Sequence, residues 1–235
     1  MTLYKVYLMA LLLSFFQNDK FARTDKQQFM KQMLCLGDSY TIGEAVREED
    51  RFPNQVTAQL AKEGLLFSNP EIIAKTGWTT DELQHAIALW EKRPHAATYD
   101  VVTLLIGVNN QYRGRNIENY RKEFRELLAT AVHYAGGNGY HVFVVSIPDW
   151  GVTPFAKKEA DKRSAEKIGA EIDAFNQVNQ EEALREKVHY VEITKASRLA
   201  GTDASLIAED GLHPSAKMYH HWASLLSNAI SKIKF

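Results

Sequence analysis

Three side chains suited to acyl-transfer chemistry stand in turns along this chain. Ser39 follows Gly37-Asp38 and precedes Tyr40. Asp210 stands three residues before His213 in Asp-Gly-Leu-His-Pro. A serine hydroxyl is a weak nucleophile and needs a base within hydrogen-bond reach. His213 can be that base. A carboxylate three residues earlier in a tight turn can hold its Nδ1 while Nε2 faces the serine. The developing oxyanion needs preorganised donors, and the Ser39 N–H, the Gly77 N–H and the Asn109 side-chain amide are the candidates. Gly77 suits the role because a missing Cβ lets backbone approach substrate closely. Each residue also has a plainer use. Ser39 can cap a helix, Asn109 can form an Asx turn, Gly77 can be a hinge, and Asp38 can bond turn amides. The Asp210-x-x-His213 spacing is what tips Ser39 towards catalysis.

Something must bring those turns together. The chain alternates strand and helix patterns. Apolar strand runs are expected over residues 32–36, 72–74, 100–106, 141–147 and 188–193. The run over 100–106 is continuously apolar, as in a strand buried on both faces of a parallel sheet. Helices are expected over about 53–63, from the Thr79/Glu82 capping box to about 92, and over 116–135, 157–187 and 215–233. Five β-α repeats predict a three-layer α/β sandwich around a five-stranded parallel sheet. Open parallel sheets bind ligands beyond the carboxyl ends of their strands. The turns after the strands hold Ser39-Tyr40, Gly77-Trp78, Asn109-Asn110 and Asp149-Trp150, with Asp210 and His213 just before the last helix.

In these residues the chain resembles the SGNH/GDSL hydrolases. The family's marker residues match Ser39 in Gly-Asp-Ser-Tyr, Gly77, Asn109 in Gly-Val-Asn-Asn and His213 in Asp-Gly-Leu-His-Pro, and the likeness covers about residues 32–230. The resemblance implies a flavodoxin-like fold and serine-dependent hydrolysis of esters or thioesters, with no cofactor. It implies Ser39 as nucleophile, His213 as base, Asp210 as its orienter, and Ser39, Gly77 and Asn109 as oxyanion hole. Asn110 stands where the family usually has Asp, which leaves the reaction class intact. No Gly-x-Ser-x-Gly elbow is present, so this is not the α/β-hydrolase solution.

Composition narrows the alternatives. Twenty-eight Lys and Arg balance 29 Asp and Glu, a net charge of −1, against nucleic-acid binding. One cysteine, Cys35, excludes a disulfide framework and a cysteine-rich metal site. His220-His221 point about 100° apart on a helix, a poor chelate, so no metal site is expected. The charged stretch over 157–187 reads as a solvated face, and Arg113 and Arg115 as surface-loop residues. Tyr40, Trp78, Asn110 and Trp150 are candidate pocket residues, with Tyr112 and Phe155 also near the site turns. Aromatic walls suit an acyl chain or a sugar ring, and the expected substrate is a carboxylic ester, either a small acyl ester or a lipid acyl ester, with the small one as the working substrate. The rival reading is a non-catalytic carbohydrate- or ligand-binding module on the same fold. Residues 6–16 form an apolar run, too short for a comfortable membrane span. Residues 1–29 therefore read as a signal sequence, a membrane tether or a misplaced start before Met30. Export or tethering is favoured over a cytoplasmic location, and a single domain over 30–235 is expected. Oligomeric state stays open.

Overall fold

The computed structural model describes residues 30–159 and 163–235. The sequence-based expectations for residues 1–29 lie outside this range. Contacts within Lys31–Phe235 form one compact unit.

Five parallel strands make the sheet: β1 (Met33–Gly37), β2 (Glu71–Ala74), β3 (Val101–Leu105), β4 (Val142–Val145) and β5 (His189–Val191). Their spatial order is β2-β1-β3-β4-β5, the doubly wound order of the flavodoxin-like fold. Every residue of β1, β3 and β4 is buried, which explains their largely apolar sequences, with Thr103 the polar member of β3. Cys35 pairs with Ile72 on one side and Thr103 on the other, in the centre of the sheet.

The helices, in chain order, are α1 (Ser39–Ile42), α2 (Phe52–Lys62), α3 (Thr80–Trp90), α4 (Val108–Tyr112), α5 (Ile117–Tyr134), α6 (Pro154–Lys158), α7 (Ala165–Arg185), α8 (Thr194–Arg198) and α9 (Ala216–Ile230). Helices α2 and α9 pack together, and α5 packs between α3 and α7. Apolar stripes carry this packing: Val56 and Leu60 on α2, Phe124 and Leu128 on α5, Trp222 and Leu226 on α9, all fully buried. The Thr79 capping box is formed, with the Thr79 N–H donating to Glu82 Oε2 at 2.9 Å.

One expected helix is corrected. The stretch over 157–187 is not a single helix. Thr153-Pro154 opens α6, and α7 starts afresh where the Ser164 hydroxyl accepts the Lys167 N–H at 3.2 Å. Its face is not wholly solvated either. Glu182 is 2% exposed and takes Arg125 (2.9 Å) and Arg121 (3.2 Å) from α5 and Arg185 (2.7 Å) from its own helix. These bonds hold the Glu182 carboxyl down at about 2.

Both ends of the Lys31–Phe235 unit meet at the amino end of the sheet. Lys31 lies just before β1, and its ammonium sits 4.2 Å from the centre of the Phe235 ring. Phe67, bridged to Lys31, packs edge-on against the same ring.

Candidate active site

Strand β1 runs into the turn that presents Ser39. The turn is tight: a Cβ on Gly37 would lie 2.1 Å from Thr41 Oγ1 and 2.4 Å from the Leu105 carbonyl, so only glycine fits. Asp38 caps α1 by accepting the Tyr40 N–H at 3.1 Å. Ser39 is the first residue of that helix and is 5% exposed. Burial pushes the Asp38 carboxyl up to about 7, against the pull of the Tyr40 and Asp38 N–H groups.

The turn after β3 grips the turn after β2. Asn109 Nδ2 donates to the Trp78 carbonyl at 2.9 Å, leaving its second N–H for another acceptor. Asn110 accepts the Thr80 N–H at 3.1 Å and donates to Thr80 Oγ1 at 2.7 Å. Arg113 donates to the Gly77 carbonyl at 2.7 Å, and Arg115 pairs with Asp81 at 2.7 Å. Gly77 has φ +85°, a conformation that side-chain-bearing residues rarely adopt.

The loop before α9 supplies the third turn. His213 Nδ1 lies 2.5 Å from Asp210 Oδ2, while Asp210 Oδ1 accepts the Leu212 and His213 N–H groups, each at 2.9 Å. An ionised carboxylate only accepts, so Nδ1 carries the proton and Nε2 is left as the acceptor. Burial raises the Asp210 carboxyl, but the bonds from the His213 ring and the two N–H groups outweigh it, holding the group below its ordinary value. Tyr40 packs edge-on against the His213 ring, 5.5 Å between centroids.

The turns after β1, β3 and β4 and the loop before α9 open on one cavity of about 180 Å³, lined by Ser39, Asn109 and His213 together with Tyr40, Trp150, Tyr112 and Phe155; Gly77 is not in its lining. Asp210 stands behind His213. Two expected pocket residues are placed elsewhere. Asn110 is fully buried with its amide committed to Thr80, and Trp78 is half-buried and engages the site through its carbonyl. Neither lines the cavity. Arg113 and Arg115 pin the neighbouring loop by hydrogen bonds to Gly77 and Asp81, a role that a charge pattern does not reveal. Sequence reasoning missed Val108 and Leu212, which also line the cavity, and Gln111, which stands behind Trp150. Gln111 is 1% exposed and accepts the Trp150 indole N–H at 2.8 Å. Nothing local to position 111 signals that long-range partner.

A larger open groove of about 1050 Å³ runs beside β5, lined by residues such as Gln177, Leu184 and Tyr190. Its lining holds no serine, cysteine or histidine, so chemistry rather than size selects the smaller cavity. Among the described residues no group of His, Cys, Asp and Glu is arranged to hold a metal ion, and no helix is long and apolar enough to cross a membrane.

A profile of the GDSL-like Lipase/Acylhydrolase family matches residues 35–221. The chain belongs to that family. No curated protein sequence matched it. Solved structures that resemble this GDSL-like protein include a lipase/acylhydrolase from Enterococcus faecalis, 20% identical, covering 87% of this chain and 98% of that one, with a TM-score of 0.65. A G-D-S-L lipolytic family member from Veillonella parvula is 15% identical over 86% and 99%, with a TM-score of 0.63. An acetylxylan esterase from Geobacillus stearothermophilus is 19% identical over 87% and 95%, with a TM-score of 0.61. At these identities the likeness is one of fold. The family itself is one of ester hydrolases.

Proposed function

We propose that this GDSL-like protein hydrolyses small acyl esters through Ser39, His213 and Asp210. The observation that carries the reading is the Asp210–His213 pair at 2.5 Å on a cavity that also holds Ser39. Ser39 Oγ attacks the ester carbonyl as its proton passes to His213 Nε2. Asp210 keeps the ring in the required tautomer and stabilises the imidazolium that forms. The oxyanion is met by the Ser39 and Gly77 N–H groups and the second N–H of the Asn109 amide. Collapse of the intermediate sends the proton from His213 to the departing alcohol. Water, deprotonated by the same ring, then releases the acid from the acyl-enzyme. At roughly 30 Å³ for each water-sized group, the cavity of about 180 Å³ holds about six heavy atoms. That favours a short acyl group. The chemistry requires no cofactor.

Fluorophosphonate labelling and p-nitrophenyl ester hydrolysis test the reading. The wild type should be labelled and active. Ser39→Ala should abolish labelling and lower kcat by about six orders of magnitude if the three groups act as a unit. Asn109→Ala should lower kcat by about 10²–10³. A wild type that resists the probe and leaves every ester intact sinks the proposal. Ligand affinity unchanged by Ser39→Ala in such a protein would return the binding-module reading.

A further inference from the structure

Two cavities meet at one pair of rings. The cavity holding Ser39 and a neighbour of about 250 Å³ are both lined by Tyr112 and Trp150, and the neighbour is also lined by Glu159 and Arg163. The two rings stand edge to face, 5.4 Å apart.

Trp150 is held at both ends. Its backbone follows Ile147, whose N–H and C=O are both bonded by the Asn176 side chain, at 2.7 and 2.9 Å. Asp149 accepts the Gly151 N–H at 2.8 Å and is paired with Arg198 at 2.9 Å. The indole N–H donates to Gln111 Oε1, and Gln111 Nε2 donates onward to Glu171 Oε2 at 2.6 Å. An indole only donates and an ionised carboxylate only accepts, so the amide between them fits one way round. A buried donor that loses its partner is costly, which keeps the indole in place.

We propose that Trp150, locked by Gln111, is the wall that sets the acyl-length limit of this site. The inference rests on the hydrolase reading of Ser39. With the wall in place, acetyl and butyryl groups fit beside the nucleophile. An octanoyl group exceeds the first cavity before any of its alcohol is counted. Without the wall, the chain can extend past Tyr112 into the second cavity. Trp150 is then a specificity-determining residue, and Gln111 a positioning residue that acts through it.

The test compares p-nitrophenyl acetate, butyrate and octanoate. In Trp150→Ala the octanoate-to-acetate ratio of kcat/KM should rise about 10- to 100-fold, the range in which pocket fit to extra methylenes discriminates. Gln111→Met keeps volume but removes both bonds, and should move the ratio the same way by a smaller factor. Gln111→Glu alone sets two carboxylates against each other and should also loosen the wall. Gln111→Glu combined with Glu171→Gln restores a donor–acceptor chain to the indole and should return the wild-type ratio, which a merely structural role does not require. Unchanged ratios in Trp150→Ala and Gln111→Met overturn the assignment, as does a paired exchange that fails to restore the ratio in a variant melting like wild type. Fluorophosphonate labelling separates the two levels. A wild type that does not label removes the hydrolase reading and this inference with it. Labelled variants with wild-type ratios remove this inference alone.

Discussion

Asp38 sits beside Ser39, 1% exposed, with one carboxyl oxygen capping α1 and the other without a hydrogen-bond partner among the described residues. Its folded carboxyl titrates near 7 against an ordinary 3.8. A raised acid opposes folding once the unfolded chain would ionise. The cost is absent below about pH 4, grows as pH rises towards 7, and is constant above that. Asparagine keeps the capping oxygen and carries no charge. Asp38→Asn should therefore raise stability at pH 8 by up to about 4 kcal/mol, and the gain should vanish near pH 4. Chemical denaturation of both proteins across pH 4–8 checks this. A pH-independent difference would show that burial of the charge is not what matters at this position.

Glu182 does the opposite between helices. It joins α7 to α5 through three arginines, and its carboxyl lies near 2 rather than 4.5. A depressed acid stabilises the fold above its unfolded value and loses that contribution as pH falls through the folded one. Glu182→Gln should cost about 3 kcal/mol at pH 7, and the cost should shrink as pH drops from 4.5 towards 2. Urea melts at pH 7 and pH 3 measure it. This residue also shows where sequence reading stops. The strands were legible because burial on both faces writes an apolar run into β1, β3 and β4. Helices α3 and α5 were legible from a capping box and a 3.6-residue stripe. Glu182 was not, because a buried ionised side chain has the same letter as a solvated one, and its three partners are set by how two helices pack. The short helices α1, α4 and α8 span a turn or so each and leave no periodicity to find. In the site, Ser39, Asn109, Asp210 and His213 stood out by motif spacing. Asn110 and Trp78 were misplaced because adjacency in sequence says nothing about which side of a turn faces the cavity.

Taken as a whole, the fold explains why turns scattered over most of the chain share one cavity. The order β2-β1-β3-β4-β5 puts its reversal between β1 and β3, and the turns carrying Ser39 and Asn109 leave those two strands side by side. Contacts within Lys31–Phe235 form one compact unit, so a chain beginning at Met30 should melt in one cooperative transition and label with fluorophosphonate. Scanning calorimetry and gel labelling of that chain decide it, and a broad melt without a cooperative transition would show that the unit does not fold by itself. The meeting of Lys31 with Phe235 has a practical side. Both ends of the unit sit beside the amino ends of the strands, on the rim opposite the turns that carry Ser39 and Asn109. A short linker can therefore splice Phe235 to Lys31 and move the opening to an exposed surface loop, giving a circular permutant of the unit, and a surface or carrier attached there leaves the rim that carries Ser39 unobstructed.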